Sequence, residues 1–376
     1  MSVLNRDFFY IAGYDPRGFR YYYSILKKNL FLYNKIHKSN LKLSPTKQEN
    51  SHLVSFLINS QTTKCKYHIL IWNDIVKKHW HTGFISVLKD YFSFFRIFII
   101  TGLFLKFLKL SKNAFLAGMY PFFFISIIFI CIFLYIFSTL FLISDNIIYF
   151  SISVAIVLYI GYDIIMKVGS KKAMFWLLRL CVFCAYLAFD RVKGIDKRMD
   201  EFCEELFKKI KENEKKDNYE LILCAHSVGT ILLVSVLAKV LKKCERENIA
   251  YSKLKILTLG ECIPLVSLQR KNLNFKKDLE YVSKHNIFWL DYTSKIDGAC
   301  FYLLDFFKSA GITSYDLNIK FLSARFFKAY NKDEYHKIKR DWYRVHFLYL
   351  EALQKKSLGY DFFDIISNSF YLENRR

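Results

Sequence analysis

The residues best suited to chemistry lie in one pentapeptide, Ala225-His226-Ser227-Val228-Gly229. The apolar run Tyr219–Cys224 (YELILC) leads into it and the apolar stretch Ile231–Lys243 leads out. That order predicts a strand, a sharp turn and a helix. A serine hydroxyl is a weak nucleophile until a base takes its proton and the backbone presents it clear of its own chain. A strained strand-to-helix turn does the second. It requires small residues two before and two after the serine, or the strand and helix backbones collide. Ala225 and Gly229 meet that requirement. An ordinary helix N-cap would account for Ser227 but not for both small neighbours. His226 precedes the serine and points away from it in such a turn, so it is expected to pack or hydrogen-bond beside the turn.

The pentapeptide resembles the nucleophile elbow of α/β-hydrolases of the lipase and esterase kind, with Ala225 in place of the first glycine of G-x-S-x-G. The resemblance covers residues 1–90 and 200–376 and implies a chain order of serine, acid, histidine. The acid then follows the second strand after the elbow, Asn286–Tyr292, which selects Asp297; Asp291, inside that strand, is the runner-up. Two histidines follow the last strand. His346 stands at the start of an apolar helix that would hold it, whereas His336 lies in a very polar stretch, so His346 is the preferred base. The oxyanion hole of such enzymes takes one backbone N–H from the residue after the serine, here Val228. It takes another from an early strand–helix loop, here Gly13 or Tyr14 of Gly13-Tyr14-Asp15-Pro16. The early GYDPRG segment and an apolar insert ahead of the elbow are similar to membrane-inserted bacterial proteins of this kind. Trp72-Asn73-Asp74 looks like part of the same pattern, and carries no chemistry of its own beyond a helix start with Trp80 near a membrane interface.

The elements around these residues alternate. Strands are expected at Phe8–Tyr14, Lys66–Asn73, Tyr219–Cys224, Leu254–Leu259, Asn286–Tyr292 and Leu317–Leu322. Helices are expected at Lys197–Asn213, Ile231–Lys243 and Trp342–Leu353. Alternation predicts an α/β fold, a mostly parallel sheet with helices on both faces.

An apolar insert interrupts that fold. No Lys or Arg occurs in the 52 residues from Phe115 to Met166. Phe122–Ile143 has 22 residues without a charge, and Ile147–Ile165 has 19 with only Asp163. A membrane span needs about 20 apolar residues, so the pair reads as a transmembrane hairpin turning at Ser144–Asn146. Tyr91–Leu108 and Ala173–Phe189 read as interfacial helices with Arg96, Lys106 and Arg179 snorkelling, or as two further spans. The expected division is therefore an N-terminal hydrolase part at 1–90, a membrane insert at 91–199 and a C-terminal hydrolase part at 200–376.

Charge and composition point the same way. Of 376 residues 53% are hydrophobic and only 13 are Gly and 4 Pro, which excludes a disordered or collagen-like chain. The net charge of +23 favours anionic partners. Basic residues flank the insert and are absent from its turn, which places both ends of the hairpin, and both termini, in the cytoplasm (the inner membrane, if bacterial). No zinc-finger spacing, RNP-like motif or basic heptad is present, so lipid head groups are favoured over nucleic acid. The first 15 residues lack the pattern of a cleavable signal peptide. Cys181 and Cys184 form a C-x-x-C inside an apolar run and read as buried hydrophobes. The expectation is an integral membrane serine hydrolase acting on an ester or thioester of a lipid-like substrate, needing no metal or cofactor. The alternative is an inactive hydrolase-fold scaffold in a membrane complex; a transporter is disfavoured, and a homo-oligomer is left open.

Overall fold

The computed structural model describes residues 3–143, 146–355 and 359–375. Its nine strands are β1 (Leu4–Ile11), β2 (Lys42–Leu43), β3 (Lys47–Gln48), β4 (Leu53–Asn59), β5 (Thr63–Leu70), β6 (Tyr219–His226), β7 (Leu254–Leu259), β8 (Phe288–Thr293) and β9 (Asn318–Ser323). Helices of eight residues or more are α1 (Phe19–His37), α2 (Phe84–Phe94), α3 (Leu103–Leu110), α4 (Lys112–Ile143), α5 (Ile147–Lys171), α6 (Met174–Ala188), α7 (Ile195–Asn213), α8 (Gly229–Glu247) and α9 (Leu273–Ser283). The chain divides into two compact units, residues 1–79 with 184–376, and residues 80–183.

The first unit is an α/β fold on one mixed, mostly parallel sheet in the order β2-β4-β5-β1-β6-β7-β8-β9, with β3 on β4. β5, β1, β6, β7, β8 and β9 run parallel to one another. Alternate side chains go to opposite faces. Phe8, Tyr10, Cys224, Leu257 and Tyr292 share a core with Tyr22 and Leu26 of α1 and with C-terminal residues such as Tyr349 and Phe362. α8 packs against β1 and β6, with α7 and α9 beside it.

The expected strands are present with shifted ends. β1 begins at Leu4 and stops at Ile11, so Gly13 and Tyr14 lie in the loop beyond it. β4 has no counterpart in the expected elements, and it makes the sheet mixed, because it lies antiparallel to β5. The helix expected at Trp342–Leu353 ends at Phe347 and passes into a short 3-10 turn.

One ion pair fastens the two ends of this unit together. Arg6 on β1 and Glu220 on β6 are fully buried and 2.7 Å apart. The Arg6 guanidinium also donates to the carbonyls of Ile365 (2.7 Å), Asn368 (3.0 Å) and Phe370 (2.9 Å), and Glu220 accepts from the Leu372 N–H (2.6 Å).

In the second unit α4 and α5 are long and apolar enough to cross a membrane. Only 11% and 6% of their most apolar windows is buried. Side chains such as Phe133, Phe137, Ile148 and Tyr159 face outward, which suits lipid and not water. α4 starts ten residues before the expected span and continues through Pro121. Asn146 caps α5 by accepting from the Ile148 and Tyr149 N–H groups; Ser144 and Asp145, expected in the turn, lie outside the described residues. α2 with its π-helical extension and α3 meet at a bend of 73° near Gly102. They are not one interfacial helix over Tyr91–Leu108. Arg179 on α6 does not snorkel either: it is buried against Asp90 on α2, Nε to carboxylate 2.9 Å. A charge away from water needs a partner more than it needs a route out.

The buried Arg6–Glu220 pair leads to a measurable expectation. Arg6→Ala leaves the buried Glu220 charge without its cation and three carbonyls without the guanidinium donor, a loss of about 3–5 kcal/mol. The thermal midpoint of the full chain in detergent should fall, and its C-terminal segment should become open to protease. Arg344→Ala removes half-exposed pairs to Glu334 and Glu351 and should cost about 1 kcal/mol or less. Equal losses would mean that the buried pair does not hold the C-terminal segment.

Candidate active site

The register of the parallel strands brings four strand ends into one row. Ile11 pairs with Ala225, His226 with Leu259, and Leu259 with Tyr292. Gly13, Ser227, Gly260 and Asp297 therefore all lie just beyond the C-terminal ends of neighbouring strands. The connection from β1 leads toward β5 on one side, and that from β6 toward β7 on the other. Ligand crevices of α/β sheets form where the strand order reverses in this way.

Ser227 takes φ +58, one of few non-glycine residues in the left-handed region. Such a conformation costs about 1–3 kcal/mol and persists only where surroundings over-determine it. Here the Ser227 N–H donates to the Leu259 carbonyl (3.0 Å), and the Ser227 carbonyl accepts from the Thr230 N–H (2.9 Å) and hydroxyl (2.6 Å). The need for small neighbours has a specific cause. A Cβ on Gly229 would stand 2.5 Å from the Ile11 carbonyl oxygen and 2.6 Å from that of Ala12. A Cβ on Gly13 would meet the Ser227 Cβ at 2.8 Å. The loop after β1 thus runs directly alongside the serine. Val228 opens α8, where the first N–H groups lack intrahelical acceptors. Gly13 and Val228 therefore flank the serine with backbone. The Tyr14 hydroxyl reaches the other way, to the His79 carbonyl (3.1 Å).

Asp297 and His346 are both 1% exposed, and Nδ1 of His346 lies 3.0 Å from each Asp297 carboxylate oxygen. Asp297 also accepts from the Ala299 N–H (3.0 Å) and the Tyr349 hydroxyl (3.2 Å). Burial alone would raise its carboxyl pKa. The charge and hydrogen bond of His346, with the Ala299 N–H, outweigh burial and hold it below the usual carboxylate value. An ionised Asp297 at Nδ1 fixes the proton there and leaves Nε2 as the ring atom for proton transfer. His226 lies with its ring centroid 4.7 Å from that of His346, and its Nε2–H donates to the His346 carbonyl (2.8 Å). Burial, then the neighbouring His346, lowers its pKa to about 3. It is therefore a neutral support for His346.

The two runner-up residues are placed elsewhere. Asp291 accepts from the Thr258 hydroxyl at 2.6 Å, and His336 is exposed on a short polar helix. Several neighbours have roles that the sequence did not give. The Trp72 indole N–H donates to the Ala12 carbonyl (2.9 Å), so Trp72 braces the loop beside Ser227. Asp15 grips Arg17 (2.8 and 2.9 Å), whose guanidinium lies over Tyr21 at 3.7 Å and bonds the Tyr343 hydroxyl, tying that loop to the His346 segment. Cys262 Sγ lies 3.8 Å from Ser227 Oγ. Trp72 and Arg17 stood in segments that looked patterned; nothing in the sequence around Cys262 marked it.

The wider fold offers no shortcut to an identity. No known protein family, curated protein or solved structure matches the chain.

Behind the site, Glu261 and Asp291 form a fully buried acidic pair. Burial raises the carboxyl pKa of both, and the charge of Asp291 raises Glu261 further. The folded state therefore keeps protons that the unfolded chain releases above its ordinary carboxyl pKa of about 4. The stability from this pair is complete below that pH and is lost as pH rises through the raised folded values, at up to about 1.4 kcal/mol per pH unit for each group. Thermal midpoints across that range should fall with rising pH in the wild type. The slope should flatten in Glu261→Gln/Asp291→Asn. An unchanged slope would mean that the pair is ionised in the fold.

Proposed function

We propose that this chain is a membrane-anchored serine hydrolase of α/β-hydrolase type, acting on an ester or thioester of a lipid-like substrate at the cytoplasmic membrane face. The observation that carries the reading is the buried Asp297–His346 hydrogen bond, set at the same strand ends as a serine held at φ +58. A left-handed serine costs stability and presents its hydroxyl clear of its strand. A buried carboxylate on Nδ1 costs desolvation and fixes one tautomer. Their coincidence at the topological switch point suits nucleophilic acyl transfer.

In this reading Ser227 Oγ attacks the substrate carbonyl carbon while His346 Nε2 takes its proton. Asp297 holds Nδ1–H and stabilises the imidazolium. The Val228 N–H and that of Gly13 or Tyr14 receive the negative charge that develops on the carbonyl oxygen. The protonated His346 gives its proton to the leaving alcohol or thiol. Water then attacks the acyl-Ser227 ester with His346 again as base, releasing the acid and restoring the serine. The lipid-like substrate class rests on the anchor, since α4 and α5 hold the protein at a bilayer.

Chemistry tests this in the full chain in detergent. Ser227 should react with a fluorophosphonate, and Ser227→Ala should abolish labelling and turnover. His346→Ala should lower kcat by about 10⁴ or more, and Asp297→Asn should impair turnover strongly through the wrong tautomer. Asp291→Asn and His336→Ala should keep most activity. Activity that survives in both His346→Ala and Asp297→Asn would refute the mechanism. Failure of the wild type to label with any probe would favour the inactive scaffold.

Topology is tested separately. Arg96, Lys106, Lys109 and Lys112 precede the hairpin and Lys167, Lys171 and Lys172 follow it, so both flanks belong on the cytoplasmic side. In a background without native cysteines, Ser144→Cys should react with an impermeant thiol reagent from outside intact cells. Ser111→Cys should react only after lysis. Labelling of Ser111→Cys from outside would reverse the orientation.

A further inference from the structure

A second Ser–His–Asp constellation lies in the interior of the same sheet, on β4, β5 and β1. Ser55 on β4 is 2.7 Å from Nδ1 of His68 on β5, and His68 Nε2 is 2.8 Å from Asp7 on β1. The Tyr219 hydroxyl donates to the other Asp7 oxygen at 2.7 Å. Ser55 and His68 are 1% exposed and Asp7 8%. Ser55 and Asp7 stand on the wall of a cleft of about 540 Å³, a volume suited to a small-molecule ligand. Asp7 and Gly13 are six residues apart, so the cleft lies roughly 20 Å along the strand from Ser227.

The hydrogen bonds fix the protons. Asp7 is acceptor to both His68 Nε2–H and Tyr219 O–H; burial would raise its carboxyl pKa, but the pull of these two hydrogen-bond donors outweighs it and holds the carboxyl below the ordinary value. The neutral His68 then accepts the Ser55 hydroxyl proton at Nδ1. This order resembles an activated nucleophile, yet the backbone argues against one. Ser55 is paired in the ladder with Lys47 on one side and His68 on the other. Its peptide groups are spent on the sheet, and among the described residues no helix start beside it offers N–H groups to an oxyanion.

What surrounds the relay is charge. Lys47, Lys64, Lys66, Lys209 and Lys216 line the cleft. Two exterior carboxylates answer them: Glu49 pairs with Lys47 (3.0 Å) and Lys66 (3.4 Å), and Glu212 with Lys209 (2.6 Å). Among the described residues Lys64 and Lys216 have no ion pair. Arg6, also on the wall, spends its charge on Glu220. The Asp7 charge is screened by the two donors bonded to it. A cleft lined with excess charge of one sign focuses its field and concentrates counter-ions.

We infer that this cleft is a binding site for a phosphate-bearing anion, seated among Lys64, Lys66, Lys209 and Lys216 against the wall that carries Ser55 and Asp7. Phosphate is the chemistry that several separate ammonium groups serve, because each supplies a point charge to one of its oxygens. The group belongs to a free phosphate ester or to a lipid head group, and the site does not depend on Ser227.

Lysine footprinting of the full chain in phosphatidylcholine nanodiscs tests the inference. The readout is acylation of Lys64 and Lys216, followed by mass spectrometry, with the exposed Lys332 as reference. Inorganic phosphate or glycerol 3-phosphate should protect Lys64 and Lys216 severalfold and leave Lys332 unprotected. Protection that arises only when phosphatidylglycerol is in the disc would identify the source as a head group. Lys66→Gln/Lys209→Gln should raise the concentration needed for protection by about tenfold or more, and Ser227→Ala should leave it unchanged. The inference is overturned if no arm protects Lys64 and Lys216, if Lys332 is protected equally, or if the double substitution has no effect. Because Ser227→Ala is silent here, these outcomes are independent of the hydrolase reading.

Discussion

Two backbones meet too closely for a side chain where β1 and β6 end, and the candidate site follows from that crowding. Gly229 has carbonyl oxygens of the β1 end within 2.6 Å of where its Cβ would be, and Gly13 faces the Ser227 side chain in the same way. With strand, turn and helix pressed together, the chain can turn only by putting Ser227 into the left-handed region. The Leu259 carbonyl and the Thr230 side chain hold it there. The same closeness carries the Gly13 loop past the serine. One steric constraint therefore sets the direction of the hydroxyl, the start of α8 and the position of the adjacent loop.

The remaining parts of the site are held by groups that must be satisfied because they are buried. Asp297 is wholly enclosed, and four donor and charge interactions, from His346, Ala299 and Tyr349, repay its desolvation. His226 avoids the cost of a buried charge by staying neutral, and its Nε2–H is satisfied by the His346 carbonyl. Glu261, immediately before Cys262, caps the Ile263 N–H (2.8 Å) and so shapes the turn beneath Ser227. The apolar helices obey the opposite rule. α4 and α5 leave their side chains outward, and the one buried arginine nearby, Arg179, is matched by Asp90. Buried charge is compensated in both units, by the Arg6–Glu220 pair and hydrogen bonds in one and by the Arg179–Asp90 pair in the other.

Local pattern carried a large part of this. The central strands were legible because each is an apolar run bounded by turn residues, and the serine because small residues flank it within one pentapeptide; the backbone that demands a glycine at 229 is the end of β1, out of local sight. The two span-length apolar helices were legible from length and absence of charge alone. β4 was not: Leu53–Asn59 carries Ser55 and Asn59 within its apolar run, and its partner β5 is separated by a short turn that resembles any loop. Arg179 misled because sequence gives its apolar surroundings but not Asp90, 89 residues away. The Arg6–Glu220 pair spans 214 positions and leaves no local mark. Trp72 and the Asp15–Arg17 pair stood out as unusual residues, while their roles depended on which carbonyls and rings the fold brought to them.

The comparison of Ser227 with Ser55 separates what side chains can do from what backbone permits. Both serines are almost completely buried on the same sheet, Ser55 bonded to His68 and through it to Asp7, Ser227 at the strand ends that also carry the Asp297–His346 pair. Ser55 has the shorter and more complete chain of hydrogen bonds. By side-chain geometry alone it would be the better nucleophile. Its strand, however, is straight and paired on both edges, so every nearby peptide group is committed to the ladder. Ser227 sits where the ladder ends, with a helix beginning after it and a glycine loop beside it. An acyl-transfer transition state needs donors that are not yet engaged and that already point at the developing charge. Strand ends at a switch point provide them, and strand interiors do not. The relay at Ser55 therefore orders the sheet around it and masks the Asp7 charge, while the conditions a nucleophilic serine would require are met only at the end of the sheet where the backbone itself is strained.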